Sequence, residues 1–126
     1  MLFLRFYIGR STDCQLPAAC FVKPKNTLEV AVVLKVVTAL GTKFAVRNGG
    51  HSPNVGFAST DGSGVLIDLR RLNTLSLSGD HKVLQAGTGN NWGDVQTYLD
   101  PLGLSAVGGR YLTVGISGLI LGGMSR

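Results

Sequence analysis

The chain has 126 residues, a formal net charge of +5, 44% hydrophobic residues and 15% charged residues. This length suits a single domain, and the hydrophobic content excludes an intrinsically disordered chain. The twelve basic residues are scattered without alternating aromatic residues, which argues against a nucleic-acid-binding surface and favours a mildly basic one.

The first fifteen residues carry no clear pattern and are left unassigned. Residues 1–8 are apolar, but they are too short and too interrupted by Arg5 for a secretory signal, so the localisation stays open. Cys14 and Cys20 can form a disulfide, stay free or pair elsewhere. The Cys and His residues do not have metal-binding spacing, so no metal site is predicted. No apolar run is long enough to cross a membrane, so no membrane partner is predicted.

Residues 20–47 are predicted to form a strand–helix–strand unit. A short apolar strand covers residues 20–22, and Asn26 with Glu29 three positions later is typical of a helix N-cap. A second strand is predicted at residues 43–46. The helix between them carries an apolar stripe at helical spacing, which we expect to face inward: Leu28, Val32, Val33, Val36, Val37 and Leu40.

The second strand leads into a loop with distinctive chemistry, Arg47-Asn48-Gly49-Gly50-His51-Ser52. Two adjacent glycines lack a Cβ, so their backbone N–H groups can come close to a diphosphate. Arg47 can offset phosphate charge, and His51 offers a nucleophilic ring. The loop therefore favours a flavin dinucleotide over a mononucleotide or a nucleic acid.

The middle of the chain predicts three more strands and a second helix. A buried strand is expected at residues 64–69, and an antiparallel pair at 75–77 and 82–85 joined by a polar turn. The sequence Gly87-Thr88-Gly89-Asn90-Asn91-Trp92 then opens a helix over residues 92–99, with Asn91 as its cap. Trp92 replaces the third glycine of the Rossmann fingerprint, and no P-loop is present, so neither common nucleotide motif applies.

Four side chains outside the loop are interpreted conservatively. Trp92 is expected to anchor the core, and His81 to be a solvated turn residue. Arg70 and Arg71, at the end of a strand, are expected to form a solvated surface.

Glycine is concentrated in the second part of the chain, where 16 of the 18 glycines lie from Gly49 onward. The segments 107–110, 113–118 and 121–124 are the densest after Pro101. Such segments allow the backbone to pass closely against a ligand.

Taken in order, these motifs resemble the N-terminal half of the FAD-binding domain in berberine bridge enzyme-like, PCMH-type oxidoreductases of the vanillyl-alcohol oxidase group. The resemblance covers residues 16–126 and rests on five segments: residues 17–22, 44–52, 65–69, 87–92 and 107–123. It implies an α+β fold, in which the strand–helix–strand unit is followed by a mixed sheet and glycine-rich loops. It also implies that the substrate domain is absent from this chain.

The family resemblance implies a flavin site with two sides. On one side, His51 is the position that joins the flavin 8α-methyl carbon covalently, and its neighbours in the loop contact the FAD. These neighbours are Arg47, Asn48, Gly49, Gly50 and Ser52. The other side is implied to come from Gly109, Thr113, Val114, Gly115 and Gly118. No catalytic residue is assigned within the chain.

The implied activity is hydride transfer from a small organic substrate to flavin, with O₂ as the usual reoxidant. Three positions depart from the family pattern. Tyr111 stands where doubly attached members carry a cysteine, which implies a single attachment through His51. Ser117 and Met124 occupy positions that are usually glycine.

Two alternatives remain open at the level of sequence. The chain can be a truncated, catalytically inactive remnant of such an enzyme, with exposed strand edges that promote aggregation. It can also be a small basic binding protein if the motifs are coincidental, in which case it would bind nucleic acid in a salt-sensitive way.

Overall fold

The computed structural model describes residues 12–123. The expectation about a secretory signal, most of the unassigned N-terminal segment and Met124 therefore lie outside the described residues. The helices and strands are β1 (Cys20–Val22), α1 (Thr27–Ala39), β2 (Phe44–Arg47), β3 (Val65–Asp68), β4 (Leu75–Leu77), β5 (Leu84–Ala86), α2 (Trp92–Leu99) and α3 (Ile116–Leu121). Short 3-10 turns occupy Thr12–Cys14, Leu69–Arg71 and Asp100–Leu102.

The first three strands form a parallel sheet in the order β1-β3-β2. The helix α1 connects the two outer strands, as the predicted strand–helix–strand unit requires. Arg47 at the end of β2 is in register with Asp68 at the end of β3. The residues that follow both strands therefore leave the sheet at the same edge, and this shared edge positions the loop 47–52.

The start of α1 follows from its capping residues. The Asn26 side chain accepts a hydrogen bond from the Glu29 backbone N–H (2.9 Å), and the Glu29 carboxylate accepts one from the Lys25 N–H (2.7 Å). These bonds satisfy donors that a helix N-terminus otherwise leaves unpaired. The predicted cap is confirmed, and the left-handed backbone of Gly41 (φ 60°) follows the end of the helix.

The expectation that the apolar stripe of α1 faces inward is wrong for most of its length. Val37 is the one buried residue of the helix, whereas Leu28 and Leu40 are about three-quarters exposed. Val32 and Val36 are about half exposed. Helical spacing identifies a face that can be buried, but within residues 12–123 no element covers this one.

The strands β4 and β5 form a separate antiparallel sheet, with Leu75 opposite Ala86 and Leu77 opposite Leu84. The strand β5 starts two residues later than predicted, because the Lys82 and Val83 N–H groups donate to the side chains of Asp80 and Ser78 within the turn. The predicted α+β class is confirmed, and the parallel and antiparallel pairings lie in two sheets.

One cluster of the hydrophobic core lies between the antiparallel sheet and the two later helices. Its buried members are Trp92, Val95, Leu99 and Ile116, and side chains of β4 and β5 pack against them. Trp92 is 4% exposed, so its predicted role as a core anchor is confirmed. His81 is an exposed turn residue with a left-handed backbone (φ 59°), also as expected.

Both cysteines are free thiols. Cys14 is buried, with its Sγ 3.3 Å from the Pro53 carbonyl oxygen, and Cys20 is exposed. Within residues 12–123, no group of His, Cys, Asp and Glu is arranged to hold a metal ion. No helix in the same range is long and apolar enough to cross a membrane.

Candidate functional site

A cleft of about 220 Å³ lies where the loop 47–52 leaves the parallel sheet. The loop faces the 3-10 turn after β3, the start of α2 and the segment that precedes α3. The cleft is lined by Arg47, Asn48, Gly49, His51, Arg70, Gly89, Asn91 and Thr113. The structure thus brings together residues from both predicted sides of the site.

The two sides meet through glycines. A Cβ on Gly49 would lie 2.5 Å from the Gly115 backbone nitrogen, and a Cβ on Gly115 would clash with the Asn48 side chain. The Ser117 hydroxyl donates to Asn48 Oδ1 at 3.3 Å. This close backbone approach depends on both residues being glycine. Ser117, which departs from the family pattern, contributes a link between the two sides.

The segment before α3 is also tied to the start of α2. Asn91 and Gly115 form an isolated antiparallel bridge, and the Ile116 N–H donates to the Asn90 carbonyl. The Asn91 side chain caps α2 by accepting from the Asp94 N–H, and the Asp94 carboxylate accepts from the Asn91 N–H. These bonds fix Asn91 at the rim of the cleft and hold Gly115 beside it.

A buried carboxylate lies behind the cleft between two arginines; we call Asp68, Arg47 and Arg70 the Asp68 cluster. Asp68 is 1% exposed, and the Arg70 Nε lies 2.9 Å and 3.0 Å from its two oxygens. The Arg70 Nη2 also bonds to Asp68 Oδ2, and the Arg47 Nη2 lies 3.8 Å from that oxygen. The three groups together carry one net positive charge.

Charge and hydrogen bonding set the ionisation of this cluster. Burial by itself raises the pKa of Asp68, but the hydrogen bonds from Arg70 and the charges of both arginines outweigh burial and lower the pKa overall. The hydrogen bond to Asp68 raises the pKa of Arg70. Burial lowers the pKa of Arg47, and the Asp68 charge opposes that effect. Asp68 is therefore ionised at neutral pH, and both guanidinium groups keep their charge.

The expectation of a solvated Arg70–Arg71 surface is correct for Arg71 and wrong for Arg70. Arg71 is exposed, whereas the Arg70 side chain is 39% exposed, bonds to Asp68 and lines the cleft. The 3-10 turn that starts at Leu69 causes the difference, because it directs the side chain back towards the strand end.

His51 is half-buried in the cleft, and its Nδ1 is fully buried without a hydrogen-bond partner. An unpaired buried ring nitrogen is costly and calls for an explanation, such as a group bound at the site. The His51 residue lines the cleft, whose other walls carry two guanidinium groups and glycine backbone.

Gly109, Val114 and Gly118, which were predicted for the second side of the site, do not lie along the cleft. Gly109 packs on the Trp92 ring, where a Cβ would lie 2.6 Å from Trp92 Cδ1. The Val114 side chain packs against the core. Gly118 lies exposed in α3, with no heavy atom near the position of a Cβ. Packing in the core therefore accounts for Gly109 and Val114, and Gly118 is simply exposed on α3.

Gly50 and Ser52 belong to the loop but do not line the cleft. Gly50 has a left-handed backbone (φ 67°), which explains why a glycine turns the loop there. The Ser52 hydroxyl accepts a hydrogen bond from the Asn54 N–H at 3.3 Å. Both residues shape the loop around His51.

Four residues of the site were missed from the sequence: Asp68, Arg70, Gly89 and Asn91. Gly89 and Asn91 belong to a segment that supports the family resemblance, and that signal was available. A Cβ on Gly89 would collide with the backbone of Leu69 and Arg70, so this glycine allows the turn after β3 to approach the cleft. The pairing of Asp68 with Arg70 has no distinctive spacing and is visible only in the structure.

The family model described as "FAD binding domain" matches residues 18–126, which is most of the chain. The chain belongs to this FAD-binding domain family. The predicted resemblance to flavin-dependent oxidoreductases is thereby confirmed, and FAD is the cofactor that the family binds. The buried nitrogen of His51, the two cations and the glycine contacts are compatible with such a ligand.

Similar curated proteins are fungal. The chain is 49% identical over 113 residues to the FAD-dependent monooxygenase yanF of Aspergillus niger, covering 90% of this chain and 20% of that protein. It is 41% identical to the bifunctional solanapyrone synthase of Alternaria solani, covering 86% of this chain and 21% of that protein. The chain therefore spans about a fifth of the length of these relatives.

Solved structures share the fold. The 6-hydroxy-D-nicotine oxidase of Arthrobacter nicotinovorans matches with a TM-score of 0.76 and 30% identity over 90% of this chain and 24% of that one. A glucooligosaccharide oxidase of Acremonium strictum matches with a TM-score of 0.79 and 23% identity over 92% of this chain and 24% of that one. The latter protein carries a 6-S-cysteinyl, 8α-N1-histidyl FAD.

Proposed function

We propose that this chain is the FAD-binding portion of an oxidoreductase that transfers a hydride from a small organic substrate to flavin, with O₂ as the reoxidant. The observation that carries this proposal is the cleft, where His51, two arginines and closely approaching glycine backbone meet. When bound, FAD supplies the two-electron chemistry, and the residues of this chain hold and orient it.

The residues of the cleft suit different parts of the cofactor. Gly49 lines the cleft without a side chain, and its tight contact with Gly115 holds the two sides of the site together. Arg47 and Arg70 supply positive charge, and no acidic side chain is among the described residues that line the cleft. A diphosphate, which is anionic and rich in acceptors, matches this wall.

The cleft is smaller than the roughly 300–1,000 Å³ of typical ligand pockets. The chain is also about a fifth of the length of its curated relatives. We therefore assign the described residues to one wall of the cofactor site, and the substrate-binding and catalytic residues to sequence beyond this chain.

We further propose that His51 is the covalent attachment point of the flavin, and that the attachment is single. The unpaired, buried Nδ1 of His51 supports the first part, because attachment gives that ring a reason to be held without a polar partner. Tyr111, which stands at the position of the second attachment in doubly linked members, is exposed and cannot form a thioether.

The proposal is tested by purifying the full-length protein and denaturing it in acid. The flavin is expected to remain with the wild-type polypeptide and to be released from the His51→Asn variant. The matched control is His81→Asn, because His81 is the other histidine, lies in an exposed turn, and has a left-handed backbone that asparagine tolerates. Flavin that stays attached in His51→Asn would refute the tether, and a wild-type protein without any flavin would refute the proposed function.

The names of the relatives leave two reaction types to compare. The curated relatives yanF and macF are named monooxygenases, whereas the solved neighbour at 30% identity is named an oxidase. An oxidase releases H₂O₂ in proportion to substrate oxidised, whereas a monooxygenase inserts one atom of ¹⁸O₂ into the product. We expect stoichiometric H₂O₂ and an unlabelled product; a labelled product would instead assign monooxygenation.

A further inference from the structure

We propose that Arg70, oriented by the buried carboxylate of Asp68, directly binds the diphosphate of the bound cofactor. This inference rests on the proposed function and adds a specific anion-binding residue to it. The sequence had indicated a solvated side chain at this position, so the assignment comes from the geometry of the Asp68 cluster.

The first step is the position of the guanidinium. The Arg70 Nε contacts both oxygens of Asp68 at 2.9 Å and 3.0 Å, and the Arg70 backbone N–H also donates to Asp68 Oδ1 at 3.1 Å. These bonds fix one edge of the planar group. Arginine presents five N–H donors, so donors remain on the guanidinium after the contacts to Asp68 are made.

The second step is the charge balance. Asp68 is in contact with both Arg70 and Arg47, so one carboxylate compensates two cations. The residues lining the cleft include both arginines and no carboxylate within the described part of the chain. A dianionic diphosphate entering the cleft would meet the net positive charge of the Asp68 cluster, and charge-assisted bonds to a prepositioned guanidinium are among the strongest that proteins make.

The third step is that the N-terminus of the neighbouring helix does not offer an equivalent anion-binding site. The start of α2 also borders the cleft, but its capping box occupies the Asn91 and Asp94 N–H groups with side-chain acceptors. Those two donors are already used within the protein. The anion is therefore assigned to the arginine side of the cleft.

The test uses the full-length protein in the His51→Asn background, where cofactor binding is reversible. Dissociation constants are measured for FAD, for ADP as a probe of the diphosphate, and for riboflavin as a phosphate-free probe. Arg70→Gln is expected to weaken FAD and ADP binding roughly tenfold and to leave riboflavin binding unchanged. The weakened binding should also depend less on salt, since one charge contact is lost.

Arg71→Gln is the matched control, because it makes the same change of charge at the adjacent, exposed residue outside the cleft. It is expected to bind all three probes as the parent does. Arg70→Lys keeps the charge but loses the planar fork, and we expect FAD and ADP binding weakened severalfold. This variant decides the question if Arg70→Gln does not fold.

Two results would overturn the assignment. FAD and ADP affinities within twofold of the parent in the Arg70 variants would show that the side chain does not contact the diphosphate. An equal loss for riboflavin would show that Arg70 acts only through the structure. A wild-type full-length protein without any flavin would instead refute the proposed function, so the two failures are distinguishable.

Discussion

At the scale of single residues, the site depends on glycines at positions where there is no room for a side chain. Gly49 faces the backbone of Gly115, and the added methyl of Gly49→Ala would lie 2.5 Å from a main-chain nitrogen. We expect Gly49→Ala to separate the two sides of the cleft, to cost about 1–3 kcal/mol of stability and to reduce flavin content. The measurements are the flavin-to-protein absorbance ratio and thermal unfolding.

Gly79→Ala is the matched control for this prediction. Gly79 is exposed in the turn between β4 and β5, and no heavy atom lies within 4 Å of the position of an added Cβ. Wild-type flavin content is expected in this variant. If Gly49→Ala also kept wild-type flavin and stability, the close contact between the two sides would not be needed for the site.

The Asp68 cluster predicts a specific pH dependence of stability. The folded protein lowers the pKa of Asp68, so the unfolded chain takes up the proton first as the pH falls. The stabilisation is complete above the unfolded pKa of about 3.9 and is lost as the pH falls below it through the lower folded pKa.

Asp68→Asn removes this effect and leaves two arginines without their carboxylate. We expect a loss of about 3 kcal/mol at neutral pH, because Asp68 is buried and partnered. The difference in unfolding free energy between wild type and variant should shrink from pH 5 to pH 3 in denaturant titrations. Asp61 and Asp80, whose pKa values are also lowered mainly by hydrogen bonds from serines, are unchanged in both proteins, so they cancel. A constant difference across this pH range would contradict the assignment.

At the scale of elements, the N-cap of α1 gives a direct test of local stability. Asn26 bonds the Glu29 N–H at 2.9 Å, and Asn26→Ala removes that acceptor. We expect a loss of about 1 kcal/mol in the unfolding free energy, measured by denaturant titration. Lys35→Ala, an exposed change in the middle of the same helix, should have little effect. Equal effects of the two variants would show that the cap does not stabilise the helix.

The sequence predicted the elements well because local signals define them. The capping residues Asn26 and Asn91, the buried strand before Asp68 and the polar turn after Leu77 each depend on near neighbours in the chain. The loop 47–52 was likewise found from its glycines and His51.

The sequence could not predict which faces are covered or how distant segments meet. The apolar stripe of α1 is a local pattern, but its burial depends on what packs against it, and most of it is exposed. The contact of Gly49 with Gly115 and the pairing of Arg70 with Asp68 depend on tertiary placement. These contacts distinguish the residues that line the cleft from those, such as Gly109, that pack elsewhere.

At the scale of the whole molecule, apolar surface is exposed on both α1 and the parallel sheet. Leu28, Leu40 and Val32 of the helix are exposed, as are Phe21 and Phe44 of the sheet. Exposed apolar side chains in such number mark an interaction surface or an aggregation hazard. The 126-residue chain on its own is therefore expected to bind the dye ANS strongly and to self-associate in light scattering.

A double variant that replaces Val32 and Val36 by glutamate should reduce both the dye binding and the self-association. Both side chains are about half exposed on α1, so the charges can be solvated without disturbing the buried Val37. A control with glutamate at the already exposed Thr38 should behave as the parent chain. Monodisperse parent chain without dye binding would contradict this expectation.

The central claim is that the cleft holds FAD through His51, and peptide mass spectrometry tests it most directly. Trypsin cleavage after Arg47 and Arg70 releases residues 48–70, a peptide that contains His51 as its one histidine and no cysteine. In the full-length protein, we predict that this peptide carries the mass of FAD and that fragmentation places the flavin on His51. An unmodified peptide recovered from protein that has retained its flavin would contradict the account.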